Sequence, residues 1–351
     1  MAIKRFRSRG VAVWTAVGFG ACAASGQTVI EWAKPVNGMW SNSANWSPSV
    51  VPSVPEHAAL IGGRGAYTVQ AAKVAIGSVE ITNPQAVLDV NSVTLALNPI
   101  AGTGSFNAGV VRFTTQPNTP VSSLWVQSST RIDGPGRFTR GAKFENILLL
   151  HSGVSFTNGA LHTMESPLQV FAGDESCALI NEGTLSPGGI AAQTGTLRSL
   201  NFFKPGHLQL EPGSQLILEL GPSQVCEQIG NIEGSVTLGG TLTVLLGPGA
   251  TMNIGDDFPL VLGHLVGDFE KVNLPVPPFG RRWTTLRFEN SYEIVIVCIA
   301  DCDENFVLTI DDFICFQTYF SLGDPAADCD ASQTLTIDDF ICFQTAFVLG
   351  C

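Results

Sequence analysis

Leu208-Gln-Leu-Glu-Pro-Gly-Ser-Gln-Leu-Ile-Leu-Glu-Leu220 and Val236-Thr-Leu-Gly-Gly-Thr-Leu-Thr-Val-Leu-Leu246 set the fold class of this chain. In both, apolar side chains alternate with polar ones over short runs, and Pro-Gly or Gly-Gly interrupts the alternation. Alternation places the apolar residues on one face of a pleated strand, and Gly and Pro supply the turns between strands. The pattern recurs at Ala86-Val-Leu-Asp-Val90 and Tyr292-Glu-Ile-Val-Ile-Val297, and no stretch of helical period precedes Ile310. Residues 27–297 are therefore expected to be mainly β. Gly and Pro together make 57 of 351 residues, below the roughly 25–30% that marks disordered low-complexity chains. A two-sheet sandwich and a parallel β-helix both accommodate such strands. The solenoid is the better match, because a column of apolar side chains needs only stacked rungs and no identical repeat. The body lacks the strict period that many repeat folds show.

Upstream of the body, Lys4, Arg5, Arg7 and Arg9 precede an apolar stretch from Val11 to Phe19 and small residues through Gly26. This is the three-part plan of a secretory signal peptide, here residues 1–26, with cleavage after Gly26 or Ala23; Cys22 leaves a lipoprotein site as an alternative. Eight of the nine cysteines then reach an oxidising compartment, where disulfides are expected. Six of them (Cys298, Cys302, Cys315, Cys329, Cys342, Cys351) belong to the tail, leaving Cys177 and Cys226 to pair with each other. The formal net charge is −12, and from Ile299 onward there are ten acidic residues and no Lys or Arg. No basic stripe is available for phosphates, which argues against a nucleic-acid partner. No second long apolar run follows the signal, so no membrane span is expected.

The tail, residues 298–351, contains one unit written twice. Asp301–Gly323 and Asp328–Gly350 are identical at 17 of 23 positions. In each, oxygen-bearing side chains fall at positions 1, 3, 5, 9 and 12, the spacing with which a calcium loop wraps one cation ahead of a helix. The first set is Asp301, Asp303, Asn305, Thr309 and Asp312 with the carbonyl of Val307. The second is Asp328, Asp330, Ser332, Thr336 and Asp339 with the carbonyl of Thr334. Three carboxylates per loop favour a hard cation such as Ca2+. Position 6 is usually Gly because the chain turns there with positive φ, yet it is Phe306 and Gln333 here. A left-handed conformation costs such residues roughly 1–2 kcal/mol, which predicts weaker calcium binding or a different turn. Ile310, Phe313, Ile314 and Phe320, and likewise Ile337, Phe340, Ile341 and Phe347, are expected to mark one helix face. Cys302, Cys315, Cys329 and Cys342 could tie each loop to its own helix or cross between repeats, while Cys298 and Cys351 could clasp the ends.

Two such loop-helix units, with no helix before the first, resemble type I dockerins. The resemblance covers 53 residues and implies a cohesin-like or other surface protein as partner. It also implies a partner-facing surface at positions 10, 11, 17 and 18: Ile310, Asp311, Gln317, Thr318, Ile337, Asp338, Gln344 and Thr345. In the body, Gly183-Thr-Leu-Ser-Pro-Gly-Gly189, Leu208 to Leu220, Gly239-Gly-Thr-Leu-Thr-Val244, Gly255-Asp-Asp-Phe-Pro-Leu260 and Gly267-Asp-Phe-Glu-Lys-Val-Asn-Leu-Pro275 resemble the closing rungs of autotransporter-associated β-strand repeat proteins. The Trp-containing start, Gly38-Met-Trp40 with Ser43-Ala-Asn-Trp46, is similar to the opening of such chains. This resemblance implies a right-handed parallel β-helix; no membrane barrel follows to export it.

No catalytic constellation stands out. The five histidines are scattered, with no metal-ligand pair spacing. The adjacent acids Asp174-Glu175 and Asp256-Asp257 are expected to cap turns, not to act as an acid/base pair. Trp40 and Trp46 are expected to seal the first rung, sugar stacking being the alternative. The expected function is structural or adhesive attachment of a secreted, extracellular or cell-surface protein. A polysaccharide lyase or glycoside hydrolase on a β-helix, with polysaccharide as the bound partner, is the alternative, and a sorting role for the tail is a third.

Overall fold

A computed structural model describes residues 27–83, 85–91, 94–97, 110–114, 123–126, 130–132, 137–140, 146–165, 168–188, 199–330 and 332–349. The expected signal segment, residues 1–26, and Cys351 lie outside the described residues. The fold is mainly β, with two C-terminal helices. The strands read from alternation are present at Ala86–Asn91, His207–Leu210, Gln215–Leu220, Thr241–Leu246 and Ser291–Cys298, and no α-helix precedes Ile310 among the described residues.

Most strands pair in parallel with strands two or three places away in chain order. One sheet has ten strands and another fourteen, beside a four-stranded sheet near the start. From Asn146–Leu150 onward the chain repeats one cycle. A strand of the fourteen-stranded sheet is followed by a second in the same sheet and then by one in the ten-stranded sheet. Register aligns Val69, Leu88, Val111, Phe138, Met164, Leu185, Leu216, Leu242 and Val272 in one column. A second column holds Phe156, Leu179, Leu208, Val236 and Leu265, all buried. Among the described residues, one continuous apolar core runs from Ile30 to Ile294.

Three tryptophans pack together near the start of the β region. Trp40 and Trp46 are fully buried; Trp46 meets both Trp32 and Trp40 edge to face, at 4.9 and 4.8 Å. Their indole N–H groups donate to Pro52 O at 2.9 Å (Trp40) and Trp40 O at 2.7 Å (Trp46), so the rings bury area without stranding a donor. Asp174 accepts from the backbone of Ser176 and Gly153, and Asp256 from that of Asn253; both cap turns.

The interior also has a polar corner. Asn158 and Asn181 face each other across the ladder, both buried, with Asn158 Nδ2 donating to Asn181 Oδ1 at 2.6 Å. His162 Nδ1 lies 2.6 Å from Asn158 Oδ1. Gly183 closes this corner, because a Cβ there would come within 2.3 Å of the carbonyls of Gly159 and His162.

The expected Cys177–Cys226 disulfide is not formed. Both are buried free thiols. Cys177 precedes the strand that pairs Ala178 with His207, and its Sγ lies 3.2 Å from His151 O. Cys226 precedes the segment that pairs Ile229 with Leu200, a different column, and its Sγ lies 3.4 Å from Pro259 O. Burial pushes the Cys226 thiol up to about 12, so it stays protonated and unreactive.

Candidate metal centre

The tail has its own apolar cluster, built on Phe316, Phe343, Ala327 and Ala346. Helix α1 spans Ile310–Leu322 and α2 spans Ile337–Leu349. Phe316 and Phe343 stack at 4.1 Å, and Phe313, Phe320, Phe340 and Phe347 surround them. This corrects the expected helix face. Phe313, Phe316 and Phe320 point inward, whereas Ile310 and Ile314 are 66% and 55% exposed and Ile337 and Ile341 match them at 67% and 53%. The isoleucines form a separate i, i+4 stripe rotated off the phenylalanine stripe.

Each disulfide ties a loop to its own helix, Cys302 to Cys315 and Cys329 to Cys342. Cys298 is also disulfide-bonded; its expected partner, Cys351, lies outside the described residues. Phe306 and Gln333 do adopt the left-handed turn, with φ of 65° and 64°. The loops therefore keep the sharp bend of a cation loop and hold a side chain where Gly is usual.

The bend is held by the candidate ligands themselves. Asp301 accepts from the backbone N–H of Asn305 (3.1 Å) and Phe306 (2.8 Å), and Asp328 from those of Ser332 (2.9 Å) and Gln333 (2.7 Å). Asp303 and Asp330 each accept the N–H two residues on. The position-12 acids are fully buried. Asp312 accepts from Cys302 N and Thr309 N, at 2.8 and 2.7 Å, and Asp339 from Asp330 N and Thr336 N, at 3.3 and 2.7 Å. Asp312 thereby closes a capping box with Thr309.

These bonds bring three carboxylates together twice. Asp301, Asp303 and Asp312 each offer an oxygen within 4.8 Å of the others, as do Asp328, Asp330 and Asp339, and either group could hold a metal ion. Oxygens on opposite sides of one calcium ion at 2.3–2.6 Å lie at most about 5 Å apart, so the separation fits. Burial, together with the charges of Asp312 and Asp303, pushes the Asp301 carboxyl above the usual range, against the N–H groups of Phe306 and Asn305. For Asp339 burial also acts upward, but the N–H groups of Thr336, Asp330 and Cys329 and its bond with Asp328 outweigh it and hold the carboxyl low.

The remaining predicted ligands have local partners. Thr309 and Thr336 accept from Asp311 N and Asp338 N, each at 3.2 Å, and so cap the helices. Asn305 accepts from Val307 N, and Ser332 Oγ donates to Thr334 O at 3.0 Å. Of the predicted partner-facing residues, Ile310, Asp311, Gln317, Thr318, Ile337, Asp338 and Gln344 are exposed and Thr345 is half-buried. Thr318 and Thr345 donate back to Ile314 O and Ile341 O, which gives them a role within the helix. Ile314 and Ile341 are surface residues that hydropathy alone does not separate from the inward face; the signal in the sequence is their recurrence four residues after Ile310 and Ile337.

The disulfides are compatible with an extracellular protein, and no helix among the described residues is long and apolar enough to cross a membrane. No family model matches this sequence, and no curated protein or solved structure is significantly similar to it.

Proposed function

We propose that this is a secreted, non-catalytic structural or adhesive protein, held to a cohesin-like or other surface protein by a C-terminal pair of calcium loops. Residues 27–297 form its body, a right-handed parallel β-helix; residues 298–351 form the docking module. The repeating three-strand cycle and the buried column from Phe156 to Leu265 support the solenoid reading.

The observation that carries the function is the duplicated geometry of the tail. Each loop gathers three carboxylates on one point, and each following helix turns Ile310 and Ile314, or Ile337 and Ile341, outward beside an exposed glutamine. Bound Ca2+ would neutralise each acidic cluster and fix the angle between loop and helix. Asp301, Asp303, Asn305 and Asp312 would hold it in the first loop, and Asp328, Asp330, Ser332 and Asp339 in the second. An exposed apolar stripe is costly unless something covers it, and a duplicated one suits a protein partner.

Calorimetric titration of the oxidised full chain with Ca2+ tests this reading. Two equivalents are expected, both lost in Asp303→Asn/Asp330→Asn, whose changed side chains are exposed and leave the helix caps intact. A folded wild-type protein that takes up no Ca2+ would overturn it.

A further inference from the structure

The ladder register places His207, Ser235 and His264 side by side on three successive strands, His207–Leu210, Ile229–Leu238 and Asp257–Gly267. Their neighbours Leu208, Val236 and Leu265 are buried, so by the period of two the histidines and the serine share the opposite, outward face. The sequence shows only scattered histidines; the fold aligns two of them.

Adjacent strands lie 4.7–4.9 Å apart, so the two histidine backbones are about 9.6 Å apart, within reach of two imidazoles meeting on one ion. The Nδ1 atoms are engaged sideways. His207 Nδ1 lies 2.6 Å from Ser235 Oγ, and His264 Nδ1 lies 3.8 Å from Glu289 Oε1. Glu289 is held beside this strand by the bond from Leu265 N to its carbonyl, at 2.8 Å. A histidine that ligates through Nε2 must carry its proton on Nδ1 and needs an acceptor there, commonly a carboxylate or other oxygen. Ser235 Oγ stands at hydrogen-bond distance to fill that role for His207, whereas Glu289, at 3.8 Å, is an ion-pair neighbour of His264 and lies too far for a hydrogen bond. His264 and Glu289 have side chains 57% and 78% exposed, which leaves this face open to water.

We propose that His207 and His264 form a binding site for a late first-row divalent cation, Zn2+ or Cu2+, on the outer face of the sheet. Imidazole nitrogen selects these ions over Ca2+, which prefers oxygen. Ser235 acts as the positioning residue for His207, and the Glu289 carboxylate beside His264 adds negative charge that favours a cation there. The site is independent of the aspartate loops in the tail and does not rest on their function.

The test is Zn2+ titration of the full oxidised chain by calorimetry in excess Ca2+, which keeps the tail loops occupied by a competing ion. One saturable equivalent is expected in the micromolar range, weakened at least tenfold by His207→Gln or His264→Gln and abolished by the pair. His151→Gln is the control and should leave it unchanged. Cu2+ should selectively broaden the His207 and His264 ring resonances in NMR. Both substitutions are on the surface, and an unchanged thermal midpoint would confirm intact folding. Saturable binding that survives in the double variant, or none below millimolar Zn2+ in the wild type, would overturn the proposal.

Discussion

His162 is 1% exposed, and burial holds its imidazole down to about 3, against an ordinary value near 6.5. Between those values the unfolded chain binds a proton that the folded chain does not. The stabilising contribution is therefore complete above about pH 6.5 and drains away as pH falls toward 3, by a few kcal/mol in all. Urea unfolding of wild type and His162→Gln at pH 7 and pH 4.5 checks this. The wild type is expected to lose about 2 kcal/mol more than the variant across that interval; equal losses would show that the ring protonates in place. The left-handed positions make a second prediction at this scale. Gln333, at φ 64°, carries a backbone penalty that Gly avoids, partly offset by the freedom Gly gains when unfolded. Gln333→Gly should raise the Ca2+ affinity of the second loop severalfold, seen as a split in the titration curve, and an unchanged curve would show that the loop absorbs the strain without cost to binding.

Each tail helix carries two apolar stripes, and only packing shows which one is inside. Hydropathy reads Ile310 and Phe313 alike, so the sequence places the helices but not their inward face, nor Phe316 at the centre of the module. The three-carboxylate groups were legible because ligand spacing in a loop is local. The disulfide pairing was not, since two schemes suited the same four cysteines. Phe316 stacks on Phe343 and is 3% exposed, and burial of this kind makes Phe→Ala cost about 3–5 kcal/mol. In a module with one small cluster, Phe316→Ala should unfold the tail once the disulfides are reduced, while the oxidised form is retained. The cross-links each close a loop of 13 residues in sequence separation and contribute about 3 kcal/mol apiece. Loss of α-helical circular dichroism on reduction of the variant, but not of the wild type, is the expected result.

At the scale of the whole molecule, strands were readable from alternation because each is a local pattern. The circuit was not, since its column recurs at residues 164, 185, 216, 242 and 272, with turns of unequal length between. The joint between body and tail was equally hidden, because a hairpin brings it together. Arg282, on the strand Arg281–Arg287, donates from Nη2 to Asp301 O at 2.8 Å and pairs with Glu304 Oε1 at 3.1 Å, while Ile299 N donates to Gly280 O at 2.8 Å. The second repeat has Ala331 where the first has Glu304, so this clamp belongs to the first loop. A cleft of about 590 Å³, lined by Val276, Phe279, Trp283, Phe316 and Asp328 among others, opens between the two parts. With apolar packing interrupted there, Arg282 should carry a large share of the joint. The ion pair is partly exposed, which limits its value, but the bond to the carbonyl is charge-assisted. Arg282→Ala is therefore expected to weaken the joint by about 1–2 kcal/mol. Limited proteolysis should then cut between Ile299 and Glu304 roughly tenfold faster, with the thermal midpoint of the β body unchanged. Ca2+ binding should shift in the first loop alone, because Asp301 would offer its carboxylate to the ion while its carbonyl accepts from Arg282. Cleavage at the wild-type rate would mean that the hairpin bond at Ile299 suffices, leaving Arg282 a surface ion pair with no mechanical role.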